Sequence, residues 1–495
     1  MYVRRNIIAN YFGRAYSIAA VYLFLPFYVK ILGVEAFGVI AVYTTLLTLS
    51  GLADVGLSAT FAREAARSKN KKKLLDLMST IERVLYLSVG LIALIIFASA
   101  EAITTRWLNI GGQIDEQTII WSFRLMALMI IPQLGISLYS AGLIGLQKQV
   151  KANVVQSLFI TARSGLVVLV ILWRPELHLF FIWQLVATFA FALVIRIVLV
   201  KELGFPAWRL GVFDYNGLKA NMVFAGGMLW ISIISSINTQ IDKLLVSKLF
   251  SLTDFGYYTL AGSLAQVPVA LATPIAVAFY PLVTAHVANR DKGKERLAFE
   301  TYGQWIAFTG ALGAFGVALF APQLLALWLQ EPALPPVVAK ISSMLAIGSL
   351  FLSLATPAYY LGLAHGQSGL IAILVTGTAL LSVPLMILTV QTFGLLGATF
   401  PWLVLNLINF LVVTTLVVGR HLGRRYLGQV ARILGLPVVF VLLPLMGARH
   451  IANTFQAPPA VACCLAVGGA LCAVLAFLAL RRTETSTRKP LRFGE

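Results

Sequence analysis

Charged side chains stand inside apolar stretches of this chain at Arg14, Asp54, Arg163 and the neighbours Asp242 and Lys243. A charge at the bilayer centre costs about 2.5–3.5 kcal/mol on an insertion scale, so such residues face a bundle interior or watery cavity and mark transport paths. Asn6, Asn10, Arg14 and Ser17 share one helix face, and Ser232, Ser235, Ser236, Thr239 and Asp242 or Lys243 repeat the pattern in a later stretch. Two such stripes facing each other would line a cleft. Arg163 has no acidic neighbour in its own or the following stretch. It needs an anionic partner from elsewhere, and phosphate suits the guanidinium fork. Asn10, Arg14, Arg124, Arg163 and Lys243 are therefore candidates for a cationic lumen, although Arg124, like Arg196, lies near a stretch end where it can snorkel. Ser232, Ser235, Ser236 and Thr239 supply its polar face. Asp54 and Asp242 are candidates for coupling or gating. Arg14 and Asp54 both lie about 12 Å deep at 1.5 Å per residue, so they could instead form a structural ion pair. Adjacent residues point about 100° apart on a helix, so only one of Asp242 and Lys243 can face a lumen.

Other chemistries lack their residues. No phosphate-cradling glycine loop ending in Lys-Ser or Lys-Thr, no His-Glu-x-x-His and no paired metal-ligand spacing occurs. No metal, cofactor or catalytic set is expected. The histidines, among them His178, His286 and His365, are scattered over loops and read as solvated. Cys463, Cys464 and Cys472 share the last apolar stretch and read as lipid-facing or packing residues.

The elements that must position these charges are membrane helices. The chain has 495 residues, 59% hydrophobic and 12% charged, outside the soluble range. Spans of about 20 residues fit near 6–32, 37–62, 80–100, 118–146, 154–173, 179–200, 220–249, 255–283, 300–328, 337–363, 367–390, 394–419, 430–448 and 458–480. With the N-terminus inside, 26 of the 38 Lys and Arg residues fall in inner segments and six in outer ones. Both termini are then cytoplasmic. The net charge of +19 reflects this topology rather than nucleic-acid binding. KILGVEAFG at 30–38 recurs as KLFSLTDFG at 248–256, an offset of 218. The span count and the repeat together predict an all-α fold of 14 transmembrane helices, with two pseudo-two-fold-related six-helix lobes and two extra C-terminal helices. The lobes are 1–200 and 220–419, joined by a cytoplasmic interfacial linker at 201–219; the extra pair is 420–480 and a basic, disordered tail is 481–495. Pro26, Pro132, Pro268, Pro274, Pro357, Pro384 and Pro401 would bend spans, and Trp107, Trp121, Trp173, Trp183 and Trp328 would anchor span ends.

The run from Asn10 to Arg67 resembles the opening of Wzx-type polysaccharide flippases, in the multidrug/oligosaccharidyl-lipid/polysaccharide exporter superfamily. The residues that carry the likeness are Pro26, Lys30, Leu32-Gly33, Glu35, Phe37-Gly38, Asp54-Val55-Gly56-Leu57 and Arg63. Gln240-Ile241-Asp242-Lys243, Phe255-Gly256-Tyr257, Pro274 and Pro281 look similar in the second half. The resemblance covers residues 1–419. It implies a bacterial inner-membrane protein that moves undecaprenyl-pyrophosphate-linked oligosaccharide from the inner to the outer leaflet by alternating access, for surface polysaccharide synthesis. Its partners would be that polyprenyl-pyrophosphate-linked glycan, membrane lipids and the polysaccharide polymerase and chain-length machinery, with no nucleic acid. The alternative is another exporter of the superfamily, of multidrug or lipid II type. A cation exporter would favour an acidic cavity, which the arginines oppose. A membrane glycan ligase or polymerase would need a substantial outer loop, and the longest here is about 101–117.

Overall fold

The computed structural model describes residues 16, 19–20, 22–54, 56–330 and 334–487, with backbone alone for 220–232, 234–235, 237–238, 368, 480 and 482–487. Among the described residues the regular structure is helical, apart from one isolated bridge between Asn109 and Ser251. Eleven helical runs among the described residues are long and apolar enough to cross a membrane. The chain is thus an all-helical, multi-pass membrane protein, and it divides into two compact units, Met1–Tyr257 and Tyr258–Glu495.

The first unit holds α1 (Tyr22–Leu32), α2 (Val34–Ser50), α3 (Leu57–Arg67), α4 (Lys71–Ala98), α5 (Glu116–Gly145), α6 (Gln149–Trp173), α7 (Leu177–Glu202), α8 (Tyr215–Leu249) and the start of α9 (Leu252–Ala265). Phe61, Met78, Ile81, Leu143, Ile195 and Leu199 make its core, where Phe159 stacks on Phe191 with centroids 3.9 Å apart. The span expected at 37–62 is broken. A short 3-10 turn, Gly51–Asp54, ends α2, and Gly56 at φ +70° starts α3. A side chain there would be strained, so glycine fits the break.

The linker is stitched to α4. Asp76, Ser79 and Thr80 accept the backbone N–H groups of Val212 (2.8 Å), Gly211 (2.8 Å) and Asp214 (2.7 Å), and Arg83 donates to the Gly211 carbonyl at 2.9 Å. These four positions share a helix face. An irregular backbone is thereby satisfied while Trp208 and Val212 stay 81% and 71% exposed, as side chains at a headgroup layer would be.

The second unit continues with α10 (Val267–Ala288), α11 (Lys292–Leu329), α12 (Pro336–Ala364), α13 (Ser368–Phe393), α14 (Phe400–Val413), α15 (Leu427–Thr454) and α16 (Pro459–Thr487). The expected spans at 367–390 and 394–419 form one apolar run, Gly369–His421. Helix α11 is its hub, packed by α10, α12, α15 and α16. Phe308 stacks on Phe477 at 4.4 Å, with Trp305 edge-on at 5.0 Å, so the last two helices share this core. Phe320, two residues before Pro322, leaves helical geometry at φ −118°, a proline kink. Helix α16 runs to Thr487, past the start of the tail expected at 481–495; residues 488–495 lie outside the described chain. The three cysteines are free, and Cys464 and Cys472 are exposed on α16.

Candidate functional site

Arg163 lies on a π-helical turn, Thr161–Leu166, inside α6. A π-turn departs from the regular hydrogen-bond ladder and often marks a functional position. Side chains from neighbouring helices cover three successive carbonyls here. Trp183 Nε1 donates to Ala162 O at 3.0 Å, Gln184 Nε2 to Arg163 O at 3.1 Å, and the Tyr28 hydroxyl to Ser164 O at 2.6 Å. The guanidinium is then fixed by neutral groups. Its Nε donates to Gln184 Oε1 at 2.6 Å and its Nη2 to the Tyr43 hydroxyl at 3.0 Å, with the rings of Tyr43 and Phe159 each 5.6 Å away. The Tyr43 hydroxyl passes its own proton toward Met129 Sδ at 3.3 Å.

No carboxylate of the described residues forms an ion pair with Arg163. Two of its five N–H donors are used by these partners. The charge is oriented without being neutralised, and the remaining donors can serve an anion. Sequence reasoning found the odd charge and its lack of an acidic partner in α6 and α7. It missed that Gln184 and Tyr43 would hold it.

The other candidates are placed differently. Asn10 and Arg14 lie outside the described residues, as do the side chains of Ser232 and Ser235. Ser236 is half-buried and its carbonyl accepts the exposed Thr239 hydroxyl at 3.3 Å. Lys243 donates to Gln240 Oε1 one turn back at 3.1 Å, beside half-buried Asp242. Arg124 sits over the rings of Trp121 (4.9 Å) and Phe97 (5.5 Å), a cation–π setting. Asp54 caps α3: its carboxylate accepts the Ser58 backbone N–H at 3.1 Å and the Ser58 hydroxyl at 2.7 Å. Its pairing with Arg14 falls outside the described residues.

Two networks escaped the sequence reading. Arg196, expected to snorkel, instead donates from Nε to buried Glu82 at 2.8 Å and from Nη1 to Ala207 O at 3.2 Å. Tyr139 donates to the same Glu82 oxygen at 2.7 Å, and Tyr86 and Tyr139 share a hydroxyl contact of 2.8 Å. In the second unit, His365, read as solvated, is half-buried: it meets Glu295 Oε1 at 2.8 Å and stacks on His421 at 3.7 Å.

In the first turn of α2, Glu35 is 1% exposed and accepts the backbone N–H groups of Gly111 (2.6 Å) and Gln113 (2.9 Å). The same loop reaches the turn before α9, where Leu252 N donates to Asn109 O at 2.9 Å and Asn109 Nδ2 to Lys248 O at 3.1 Å. The two copies of the repeated segment meet there. A Cβ on Gly38 would lie 2.2 Å from Leu252 O, and one on Gly256 would lie 2.6 Å from Val34 O, so glycine permits this approach. Glu35→Gln replaces an acceptor with an amide that faces a backbone donor. Amide hydrogen exchange over residues 108–113 is expected to accelerate about ten-fold or more, equal to about 1.4 kcal/mol of lost protection; unchanged exchange would mean that the carboxylate does not hold the loop.

Helical runs suited to a bilayer and an intramolecular repeat define a multi-pass membrane protein. The polysaccharide biosynthesis protein family matches residues 3–286, more than half of the chain, and the protein belongs to that family. This bears out the resemblance to Wzx-type flippases. The chain is 25% identical over 420 residues to a Shigella flexneri protein named as an O-antigen transporter, covering 83% of this chain and 97% of that one. It is 24% identical over 339 residues to the succinoglycan biosynthesis transport protein ExoT of Rhizobium meliloti, covering 67% of this chain and 62% of ExoT. Among solved structures it is similar to the lipid II flippase MurJ in an inward closed conformation, with TM-score 0.73, 13% identity and coverage of 97% and 98%. An inward-facing multidrug resistance MATE family transporter of the MOP superfamily gives TM-score 0.64, 15% identity and coverage of 85% and 96%. At those identities the likeness concerns the fold.

Proposed function

We propose that the protein is a flippase that carries undecaprenyl-pyrophosphate-linked oligosaccharide from the inner to the outer leaflet of the bacterial inner membrane by alternating access. The observation that carries the reading is Arg163: a fixed guanidinium with neutral protein partners and donors left over, suited to a pyrophosphate. Arg14 and Lys243 would add positive charge to the same path. Family membership and the two named transport relatives support a polysaccharide-linked cargo, and no catalytic step is required of the chain. The product would pass to the polymerase and chain-length machinery.

The proposed topology has fourteen spans in two six-helix lobes and an extra pair, with both termini cytoplasmic. The eleven apolar runs support it, with the stretch at 6–32, α8 and a division of Gly369–His421 at Gly394 making up the number. In vesicles holding the purified protein and a fluorescent lipid-linked oligosaccharide, the protected fraction should move between leaflets faster than in protein-free vesicles. Reporter fusions at Arg67 and after Thr487 should be active only as cytoplasmic reporters. Equal rates with and without protein would reject the flippase reading, and a periplasmic signal at either fusion would reject the topology.

A further inference from the structure

The second unit contains a cavity of about 240 Å³ between α10, α12 and α14. Its wall carries Thr273, Ser353, Thr356, Tyr359, Tyr360 and Asn409 among small apolar residues, and no Lys, Arg, His, Asp or Glu. Three hydroxyls already donate to their own helices: Thr273 to Val269 O at 2.6 Å, Ser353 to Ser349 O at 2.9 Å and Thr356 to Leu352 O at 3.0 Å. They retain lone pairs, so toward the cavity they can act as acceptors. The Asn409 amide and Tyr359 hydroxyl show no hydrogen bond to a described residue, and both can donate as well as accept. Tyr360 packs at a tilt against Tyr280 (centroids 5.2 Å) and edge-to-face with Tyr359 (5.3 Å).

An amide without a protein partner is costly inside a bilayer. Asn409 lies 12 residues before His421, the end of its apolar run, or about 18 Å along a helix. A ligand or water must therefore satisfy it. The wall has no carboxylate to hold a cation and no cationic group to hold a phosphate. An acyl chain would leave the amide unpaired. A sugar residue fits this wall: its hydroxyls donate and accept, and its C–H face packs on a tyrosine ring. The volume is below the roughly 300–1,000 Å³ of sites for drug-sized ligands, which suits one sugar residue rather than a whole oligosaccharide.

We propose that this cavity is a neutral carbohydrate subsite that seats one sugar residue of the cargo glycan, with Tyr360 as its stacking face and Asn409 and Tyr359 as its hydrogen-bonding groups. The proposal rests on the flippase reading, since it takes the sugar to be part of the glycan that such a protein carries.

The test uses the full chain in nanodiscs and three probes: the repeat oligosaccharide freed of lipid and phosphate by mild acid, inorganic pyrophosphate, and undecaprenyl phosphate without sugar. Saturation-transfer NMR should detect the free saccharide on the wild-type protein. Asn409→Ala and Tyr360→Leu should each weaken it ten-fold or more, and Tyr359→Phe, which removes one oxygen without changing shape, several-fold. Pyrophosphate and undecaprenyl phosphate binding should not change in these variants, which also certifies that they are folded. Saccharide binding equal to wild type in all three variants overturns the subsite. So does loss of undecaprenyl phosphate binding in step with the saccharide, which would make the cavity an acyl-chain site. Either result can coexist with translocation by the wild-type protein, so the subsite can fail while the flippase reading stands; absence of translocation would remove the latter.

Discussion

Arg163→Ala is expected to reduce translocation of the lipid-linked glycan by about 10–100-fold at matched membrane levels. Hydrogen bonds to a charged group contribute about 1.5–3 kcal/mol each, and about 1.4 kcal/mol corresponds to a factor of ten, so even one lost phosphate contact reaches the lower figure. The substitution also removes the partner of Gln184 Oε1 and of the Tyr43 hydroxyl, which could loosen α6 against α7 and α2. Two further variants separate these effects. Arg163→Lys retains the charge but loses the planar fork, and should recover part of the activity. Arg163→Gln retains a hydrogen-bonding side chain without charge and should remain as inactive as alanine. Wild-type translocation by Arg163→Gln would show that the position serves packing alone.

The contrast between Arg163 and its partners explains how far the sequence could be read. Helix positions were legible because apolar runs of this length have few alternatives in a bilayer. The lone arginine was legible because it breaks such a run. Gln184 and Tyr43 were not, since neither residue type is unusual in a span and they lie 21 and 120 residues from Arg163. The π-turn that presents Arg163 has no composition signal in Thr-Ala-Arg-Ser-Gly-Leu. The repeat at 30–38 and 248–256 was visible as matching letters, but only the fold shows Gly38 against Leu252 and Gly256 against Val34. Asp54 shows a role that its depth did not signal: its carboxylate accepts the Ser58 backbone N–H and hydroxyl and so caps α3. His365 was assigned to solvent from its loop position, and a residue 70 positions earlier, Glu295, draws it inward.

Glu82→Ala should be the most destabilising of the single substitutions considered. Glu82 and Arg196 have side chains only 7% and 17% exposed, and the carboxylate also accepts the Tyr139 proton. Removing one partner of a buried pair costs about 3–5 kcal/mol because the other charge is left uncompensated. The linker is affected as well, since Arg196 also donates to Ala207 O. Detergent-solubilised Glu82→Ala protein should therefore unfold at a markedly lower temperature and give less monodisperse material on size exclusion. Glu82→Gln keeps an acceptor for Tyr139 but loses the charge, so it should fall between alanine and wild type. The double variant Glu82→Met with Arg196→Met removes both charges and fills the space with flexible apolar side chains, so it should recover much of the stability lost by Glu82→Ala. A Glu82→Gln protein with wild-type melting but no translocation would contradict this assignment, because a carboxylate dispensable for folding yet required for transport would be a coupling group rather than a structural counter-ion. The same pair of measurements applies to Asp54 and Asp242: a neutral variant of either that loses translocation while melting at the wild-type temperature would mark that carboxylate as a coupling group.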